Sequence, residues 1–176
     1  MDKTILEIKN LKTFFTIKSH KIGGEPACCK AVNGLTFDVN QGEILGIVGE
    51  SGCGKSTLGK TIMRLNHKTD GEVLYHGSDI FAFGKKEQKD FRKQMQMVFQ
   101  DPFSSLNPRK KVGDLLAQPL KIHGMKDKSE IDAKIDLIMK EVGINPIYKG
   151  RFPHQFSGGQ RQRIGIARAL MLNPEF

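Results

Sequence analysis

A lysine, a serine and three glycines are spaced so that together they could bind a phosphate group and a divalent cation. Residues 49–57 read GESGCGKST and fit the pattern G-x-x-x-x-G-K-[S/T]. The glycines let the backbone turn tightly, so that successive N–H groups converge on one point and form an anion site. Lys55 can reach the β- and γ-phosphates of a nucleotide, and the Ser56 hydroxyl can ligate a Mg²⁺ ion that bridges them. The segment therefore predicts binding of a triphosphate together with magnesium.

The residues on either side of this loop predict the elements that must hold it. Residues 44–48 (ILGIV) are almost wholly apolar, as expected of a strand that is buried on both faces. Residues 55–65 carry apolar side chains four and three positions apart, which is typical of one face of a helix. The start of that helix adds unpaired amides and the positive end of the helix dipole to the anion site. Strand, glycine-rich turn and helix is the order that the motif requires.

Alternation and β-prone composition predict further strands, and we expect the early ones to be antiparallel and local. These strands are predicted at residues 4–8, 11–17, 31–39, 72–76 and 95–100. Residues 18–30, with two glycines and a proline, predict a loop, residues 40–42 and 77–79 predict turns, and residues 85–93 predict a charged helix.

From residue 101 onward the pattern indicates helices alone. One apolar stripe starts at Val112, with Pro119 predicted as a kink or a late end. A second stripe follows the cap-like Asp127 and stops at Gly143. We interpret residues 101–156 as a helical subdomain set into the nucleotide-binding sheet. The alternative is that these are two more crossover helices of one continuous sheet.

A second helix start also has the composition of an anion site. Ser157 and Gln160 stand three residues apart, the spacing of a capping box, and the glycines between them leave the backbone amides bare. An exposed helix start of this kind can attract an anion. Taken alone the pattern is weak evidence, because most capped helix starts bind nothing.

The whole chain suggests one ordinary domain of 176 residues that is kept in the cytosol. It shows no run of signal-peptide or membrane-span length, and its three cysteines draw neither a disulfide framework nor a metal knuckle. The net charge of +9 raises nucleic acid and acidic membranes as partners. Because no basic cluster alternates with exposed aromatics, we favour a solvated basic surface and expect no nucleic-acid partner.

Three segments, in order, resemble the nucleotide-binding subunit of an ABC transporter. Residues 49–57 match the Walker A motif, residues 98–102 (VFQDP) the Q-loop and residues 154–163 (HQFSGGQRQR) the signature motif. Residues 104–109 (SSLNPR) are similar to the second ATPase subunit of bacterial oligopeptide and dipeptide importers. The resemblance implies an α/β fold: a P-loop NTPase (RecA-like) core with an antiparallel β subdomain and an inserted α-helical subdomain. The implied division is a core at 1–100, a helical subdomain at 101–156 and the signature helix at 157–176.

The resemblance also implies roles for single residues, with ATP and Mg²⁺ as cofactors. Lys55 and Gln100 would be catalytic, and Ser56 and Gln100 would lie at the metal. Adenine would stack on Phe15, for which Phe14 remains an alternative. Ser157, Gly158 and Gly159 would complete the γ-phosphate site of a partner ATPase. The full set implied to contact nucleotide is Phe15, Gly49, Glu50, Ser51, Gly52, Cys53, Gly54, Lys55, Ser56, Thr57, Gln100, Ser157, Gly158, Gly159 and Gln160.

By the same resemblance the protein is expected to be an ATPase that couples ATP hydrolysis at a two-subunit interface to import of oligopeptides or dipeptides. Its expected partners are a second ABC ATPase subunit, identical or different, integral membrane permease subunits and, through the permease, an extracytoplasmic solute-binding protein. We expect it at the cytoplasmic face of the membrane, as a peripheral protein. The alternatives are an importer for nickel or another small solute, and a soluble ABC ATPase that acts on nucleic acid or ribosomes.

The resemblance departs from the family at residue 176. The family continues with a Walker B strand, a magnesium-linked aspartate, a catalytic glutamate and a switch histidine, and the sequence stops before them. We therefore expect the fold to be incomplete at the C-terminus. We also expect this polypeptide alone to hydrolyse ATP negligibly, because the groups that position the attacking water are missing.

Overall fold

The computed structural model describes residues 3–17, 27–101 and 105–176. The chain divides into two compact units, Met1–Lys89 and Asp90–Phe176. The domain boundaries expected from the sequence, at residues 100 and 156, remain predictions. No helix in the described part of the chain is long and apolar enough to span a membrane.

The first unit is built on a four-stranded antiparallel sheet with strand order β2-β1-β3-β4. Its strands are β1 (Thr4–Ile17), β2 (Ala27–Asn40), β3 (Asp70–Tyr75) and β4 (Ser78–Asp79). The helix α1 (Lys55–Ile62) lies between β2 and β3 in the chain, and a 3-10 turn, Ile80–Ala82, follows β4. The prediction that the early strands are antiparallel and local is confirmed.

The boundaries of these strands differ from the prediction in two ways. The two runs at residues 4–8 and 11–17 form one strand, β1, which passes through a register irregularity near Asn10, where φ is +47°. The predicted loop at residues 18–30 is wrong for residues 27–30, which are part of β2 because they pair with the end of β1. Residues 18–26 lie outside the described residues.

Two predicted strands are absent. Residues 44–48 and 95–100 form no strand, and Ile44 and Val48 are each 97% exposed, so the expectation of a strand buried on both faces is wrong. An apolar composition records a preference for burial, but a strand forms only where a second strand accepts its hydrogen bonds. No other described segment pairs with either of these two runs.

Side chains from β1, β2, β3 and α1 form the core of the first unit. The buried apolar residues are Ile5, Leu6, Ile8, Leu11, Val32, Val39, Leu58, Ile62, Val73, Tyr75 and Ile80. Two threonines, Thr13 on β1 and Thr61 on α1, are also fully buried. α1 ends three residues earlier than predicted, since the chain turns at Met63 and Arg64 takes a left-handed conformation with φ of +54°.

The second unit is helical. Its helices are α3 (Val112–Ile122), α4 (Lys128–Glu141) and α5 (Gly158–Leu170), while α2 (Lys85–Gln94) spans the boundary between the units. Short 3-10 segments lie at Pro146–Gly150 and Pro153–Gln155. The apolar stripes predicted from the sequence form one shared core: Leu106, Val112, Leu115, Leu116, Ala117, Leu120, Ile131, Ile135, Ile138, Met139, Ile144, Phe156, Ile164, Ala167, Met171 and Leu172.

Local signals in the sequence determine where these helices begin and end. Pro119 lies inside α3 rather than at its end. At the start of α4, Asp127 Oδ1 accepts hydrogen bonds from the amides of Ser129 (2.7 Å) and Glu130 (3.1 Å). Gly143, with φ of +71°, follows α4 in the left-handed conformation that glycine adopts without strain. α5 packs in the same core as α3 and α4.

Replacing the cap of α4 tests the contribution of such a signal to the second unit. Asp127→Ala is expected to lower the free energy of unfolding by about 1 kcal/mol, because two amides lose their acceptor. Asp127→Asn keeps a side-chain oxygen at that position and is expected to lose less than half as much. Denaturant unfolding followed by circular dichroism measures both. Equal losses in the two variants would contradict a capping role.

Candidate functional site

The glycine-rich loop, residues 49–54, leads directly into α1. Gly52 (φ +81°) and Gly54 (φ +101°) both adopt the left-handed region, and the Cys53 amide donates to the Glu50 carbonyl at 3.3 Å. A Cβ atom at Gly49 would lie 2.7 Å from the Cys53 sulfur, so this position also requires glycine. The predicted strand before the loop is absent, but the predicted tight turn into a helix is present.

Gly54 is held against the sheet. A side chain at Gly54 would collide with the carbonyl oxygen of Ala31 on β2. Ala31 is the extra residue of a β-bulge, because Thr13 pairs with Val32 whereas Phe14 pairs with Lys30. The bulge brings the Ala31 carbonyl to the first turn of α1, where only glycine fits.

The start of α1 has the features of an anion site. Gly54 is its N-cap residue, and no side chain caps the helix. The first amides of an α-helix lack partners within the helix, and the helix dipole makes this end positive. Ser56, in this first turn, is exposed, so its hydroxyl is accessible to a metal ion. Glu50 and Ser51 are also exposed, and Thr57 is half-buried.

The Lys55 ammonium lies inside the loop. It donates to the carbonyl oxygens of Gly49 and Glu50, at 2.6 Å each, and lies 3.5 Å from the Cys53 sulfur. The loop therefore closes around its own lysine. Hydrogen bonds from an ammonium to charged phosphate oxygens are stronger than those to neutral carbonyls, so an entering phosphate can replace these acceptors.

The two candidate aromatic residues lie on opposite faces of β1. Phe15 is 41% exposed and shares a face with Thr13, whose hydroxyl contacts α1. Phe14 is half-buried on the other face, and the Lys30 ammonium lies 5.8 Å from the centre of its ring. Only Phe15 therefore faces the side of the sheet that carries the loop and α1.

The two neighbouring cysteines divide between these faces. Residues paired across antiparallel strands project to the same side of a sheet. Cys29 pairs with Phe15, whereas Cys28 pairs with Thr16, which shares its face with Phe14. Both thiols are exposed, as is that of Cys53 in the loop.

The remaining predicted site residues belong to the second unit. Gln100 is exposed in a bend. At the start of α5 the predicted capping box is present: Ser157 Oγ accepts from the Gln160 amide at 3.3 Å, and Gln160 Oε1 accepts from the Ser157 amide at 2.9 Å. Gly158 and Gly159 are exposed, and nothing lies where a Cβ atom would be. The structure thus joins the loop and Phe15 in one unit, and Gln100 and the signature segment in the other.

Sequence reasoning missed several residues that position these segments. Arg168, near the end of α5, donates from Nη1 to the Ser105 carbonyl at 2.5 Å, and burial lowers the pKa of its guanidinium below the ordinary value. Thr13 and Thr61 join β1 to α1. A signal was available for Arg168 and Thr61, since each is a polar residue within an apolar helical stripe. The bulge at Ala31 left no signal in the sequence.

The comparisons with known proteins agree with this arrangement. Residues 32–176 match the family described as ABC transporter. The oligopeptide transport ATP-binding proteins AppF and OppF of Bacillus subtilis are each 49% identical to the chain, over 98% and 100% of its length. OppF of Escherichia coli is 45% identical over 98% of the chain. The chain spans about half the length of these curated relatives, covering 53%, 56% and 53% of them.

Solved structures show the same fold. A dimeric bacterial ABC transporter cassette, MJ0796, superimposes with a TM-score of 0.82 at 28% identity, covering 97% of this chain and 71% of the other. The cbiO1 protein of Clostridium perfringens, part of the transporter complex cbiONQ, gives a TM-score of 0.75 at 26% identity, covering 99% of this chain and 63% of the other. With an α/β P-loop cassette fold, and with a family match over most of its residues, the chain belongs to the ABC transporter family.

Proposed function

We propose that this chain is the ATP-binding part of an energy-coupling subunit of a bacterial ABC importer for oligopeptides or dipeptides. The observation that carries the proposal is the loop at residues 49–54, which closes around Lys55 and opens into an uncapped helix. The peptide assignment is supported by relatives named as oligopeptide and dipeptide transport ATP-binding proteins, at 44% to 49% identity.

The residues of the loop fit a magnesium–triphosphate ligand. Lys55 would exchange its two carbonyl acceptors for phosphate oxygens, and the open amides of the first turn of α1 would hold the rest of the anion. Ser56 would ligate Mg²⁺, with Gln100 as a second contact. The bound metal ion would neutralise charge between the β- and γ-phosphates. Glu50, Ser51 and Thr57 would line the same site.

Phe15, rather than Phe14, is proposed to stack on adenine. Its ring is exposed and shares a face with the residue that contacts α1, whereas Phe14 is on the opposite face beside Lys30. Stacking of an aromatic ring on a base is favourable and tolerates differences between bases, so Phe15 would add affinity with little selectivity.

The signature segment is proposed to act on the nucleotide of a second ATPase subunit. The capping box occupies the amides of Ser157 and Gln160, and the exposed Gly158 and Gly159 between them leave room for a phosphate to approach closely. The similar cassette MJ0796 is dimeric, which supports pairing of two subunits. Hydrolysis of ATP at this interface would drive the permease in the membrane, at whose cytoplasmic face the subunit would lie. The solute-binding protein would contact the permease from the other side.

Nucleotide binding is tested by replacing Lys55. Lys55→Ala is expected to weaken MgATP binding by about 10- to 150-fold, because a charged hydrogen-bond donor to the phosphates is lost. Isothermal titration calorimetry measures the affinity. The matched control is Lys60→Ala, an exposed lysine of the same helix, which is expected to bind as the unaltered chain does. Unchanged binding by Lys55→Ala would refute the site.

The position of adenine is tested by the two neighbouring cysteines. MgATP is expected to slow alkylation of Cys29 by iodoacetamide and to leave Cys28 unaffected, because only Cys29 lies beside Phe15. Mass spectrometry of the labelled peptides separates the two rates. Protection of Cys28 instead would assign the stacking to Phe14. Cys53, in the loop, is expected to be protected in either case.

Transport is tested in the cells from which the chain comes. Disruption of its gene is expected to abolish uptake of a radiolabelled tetrapeptide by intact cells. A restored gene with Lys60→Ala is expected to recover uptake, and one with Lys55→Ala is not, because ATP binding would be lost. Normal peptide uptake together with lost nickel uptake would favour the alternative solute.

A further inference from the structure

Two buried hydroxyl groups join α1 to β1. Thr13 Oγ1 and Thr61 Oγ1 lie 3.2 Å apart, and both residues are 0% exposed. Thr61 Oγ1 also donates its only proton to the Thr57 carbonyl, at 2.8 Å. Thr13 must therefore be the donor between the two hydroxyls, and Thr61 the acceptor. The direction of both hydrogen bonds is determined, and each hydroxyl has a partner.

The same helix has a second attachment at its other end. Gly54, the N-cap residue of α1, is in close contact with the Ala31 carbonyl on β2. Thr13 and Ala31 are neighbours across the β1–β2 pairing, because Thr13 lies opposite Val32. One end of α1 is thus placed on β2 by a steric contact, and the other on β1 by a hydrogen bond. Two such points determine how the helix lies on the sheet.

Phe15 follows directly beyond these attachments. It is two residues from Thr13 on the same face of β1, and its partner Cys29 is two residues from Ala31 on β2. The distance from the loop to the Phe15 ring therefore depends on the placement of α1 over Thr13. A nucleotide joins its base and its phosphates through a sugar of limited reach, so it can use both sites only at a suitable separation.

We infer that Thr13 and Thr61 are positioning residues that hold the phosphate loop at the separation from Phe15 that allows one nucleotide to use both. The inference rests on the proposed function. Apolar contacts in the surrounding core are non-directional, whereas a hydrogen bond has a preferred length and angle. A hydroxyl pair can therefore fix the rotation and height of α1 on the strand where apolar packing alone would tolerate sliding.

The test compares ligands with and without a base. Thr13→Val, which removes the donor at nearly constant volume, is expected to weaken MgATP binding by about 2- to 12-fold, the value of one neutral hydrogen bond. Binding of magnesium tripolyphosphate is expected to change by less than about twofold, since the loop itself is intact. Thr13→Ser keeps the donor and is expected to bind both ligands as the unaltered chain does. Thr16→Val, an exposed threonine on the other face of β1, is the matched control. Calorimetry measures all affinities.

A double-mutant cycle with Phe15→Ala separates positioning from general stability. Once the ring is absent, Thr13→Val is expected to cause no further loss of ATP affinity. Equal losses for ATP and tripolyphosphate, or no loss for either, would overturn the inference. If Thr13→Val does not fold, Thr13→Ala removes the same donor and is judged by the same ratio. Failure of the unaltered chain to bind both ligands would instead overturn the proposed function.

Discussion

The contact between Gly54 and the Ala31 carbonyl is the constraint on which the first unit depends. It places the start of α1 against an edge strand, so the open amides of the helix and the lysine of the loop are presented beside the sheet. A residue with a Cβ atom would collide with the carbonyl and would also be strained at a φ of +101°. The glycine that terminates the loop is therefore required twice, by its own conformation and by its neighbour. Phe15 gains its position beside the loop from the same arrangement, since it lies on the face of the sheet that α1 covers.

The two anion-seeking helix starts of this chain differ in a way that fits different roles. The start of α1 has no side-chain cap and a lysine folded into its loop, so it offers both amides and charge to a ligand. The start of α5 is already occupied in part by the Ser157–Gln160 box, and its exposed glycines add access rather than charge. A site of the second kind is weak by itself and becomes useful when a phosphate is held from the other side. This difference is consistent with a primary nucleotide site at α1 and a completing role for α5 in a dimer.

Much of the fold and of the candidate site could be predicted from local signals. The Gly49–Lys55 spacing, the Asp127 cap and the Ser157–Gln160 box act within a few residues, and the structure contains each of them. The antiparallel strands were also predicted, because their alternation reflects one buried face. The strands at residues 44–48 and 95–100 were not found, since an apolar run cannot reveal whether a neighbouring strand is available to pair with it. Whether Phe14 or Phe15 serves the site was equally undecidable, because adjacent residues differ only in the face to which they point.

Residue types at short spacing are enough to specify the chemistry that this protein can offer: a glycine-rich turn, a lysine and a hydroxyl at a helix start, and a second capped helix start. Over so few residues the backbone leaves little choice, and the amino-acid sequence alone is therefore informative. Three other features become visible only when the chain is folded: which face of β1 meets α1, the bulge that brings Ala31 to Gly54, and the hydrogen bond from Thr13 to Thr61. Such relations join residues far apart in the chain, and they follow from how the strands and the helix pack.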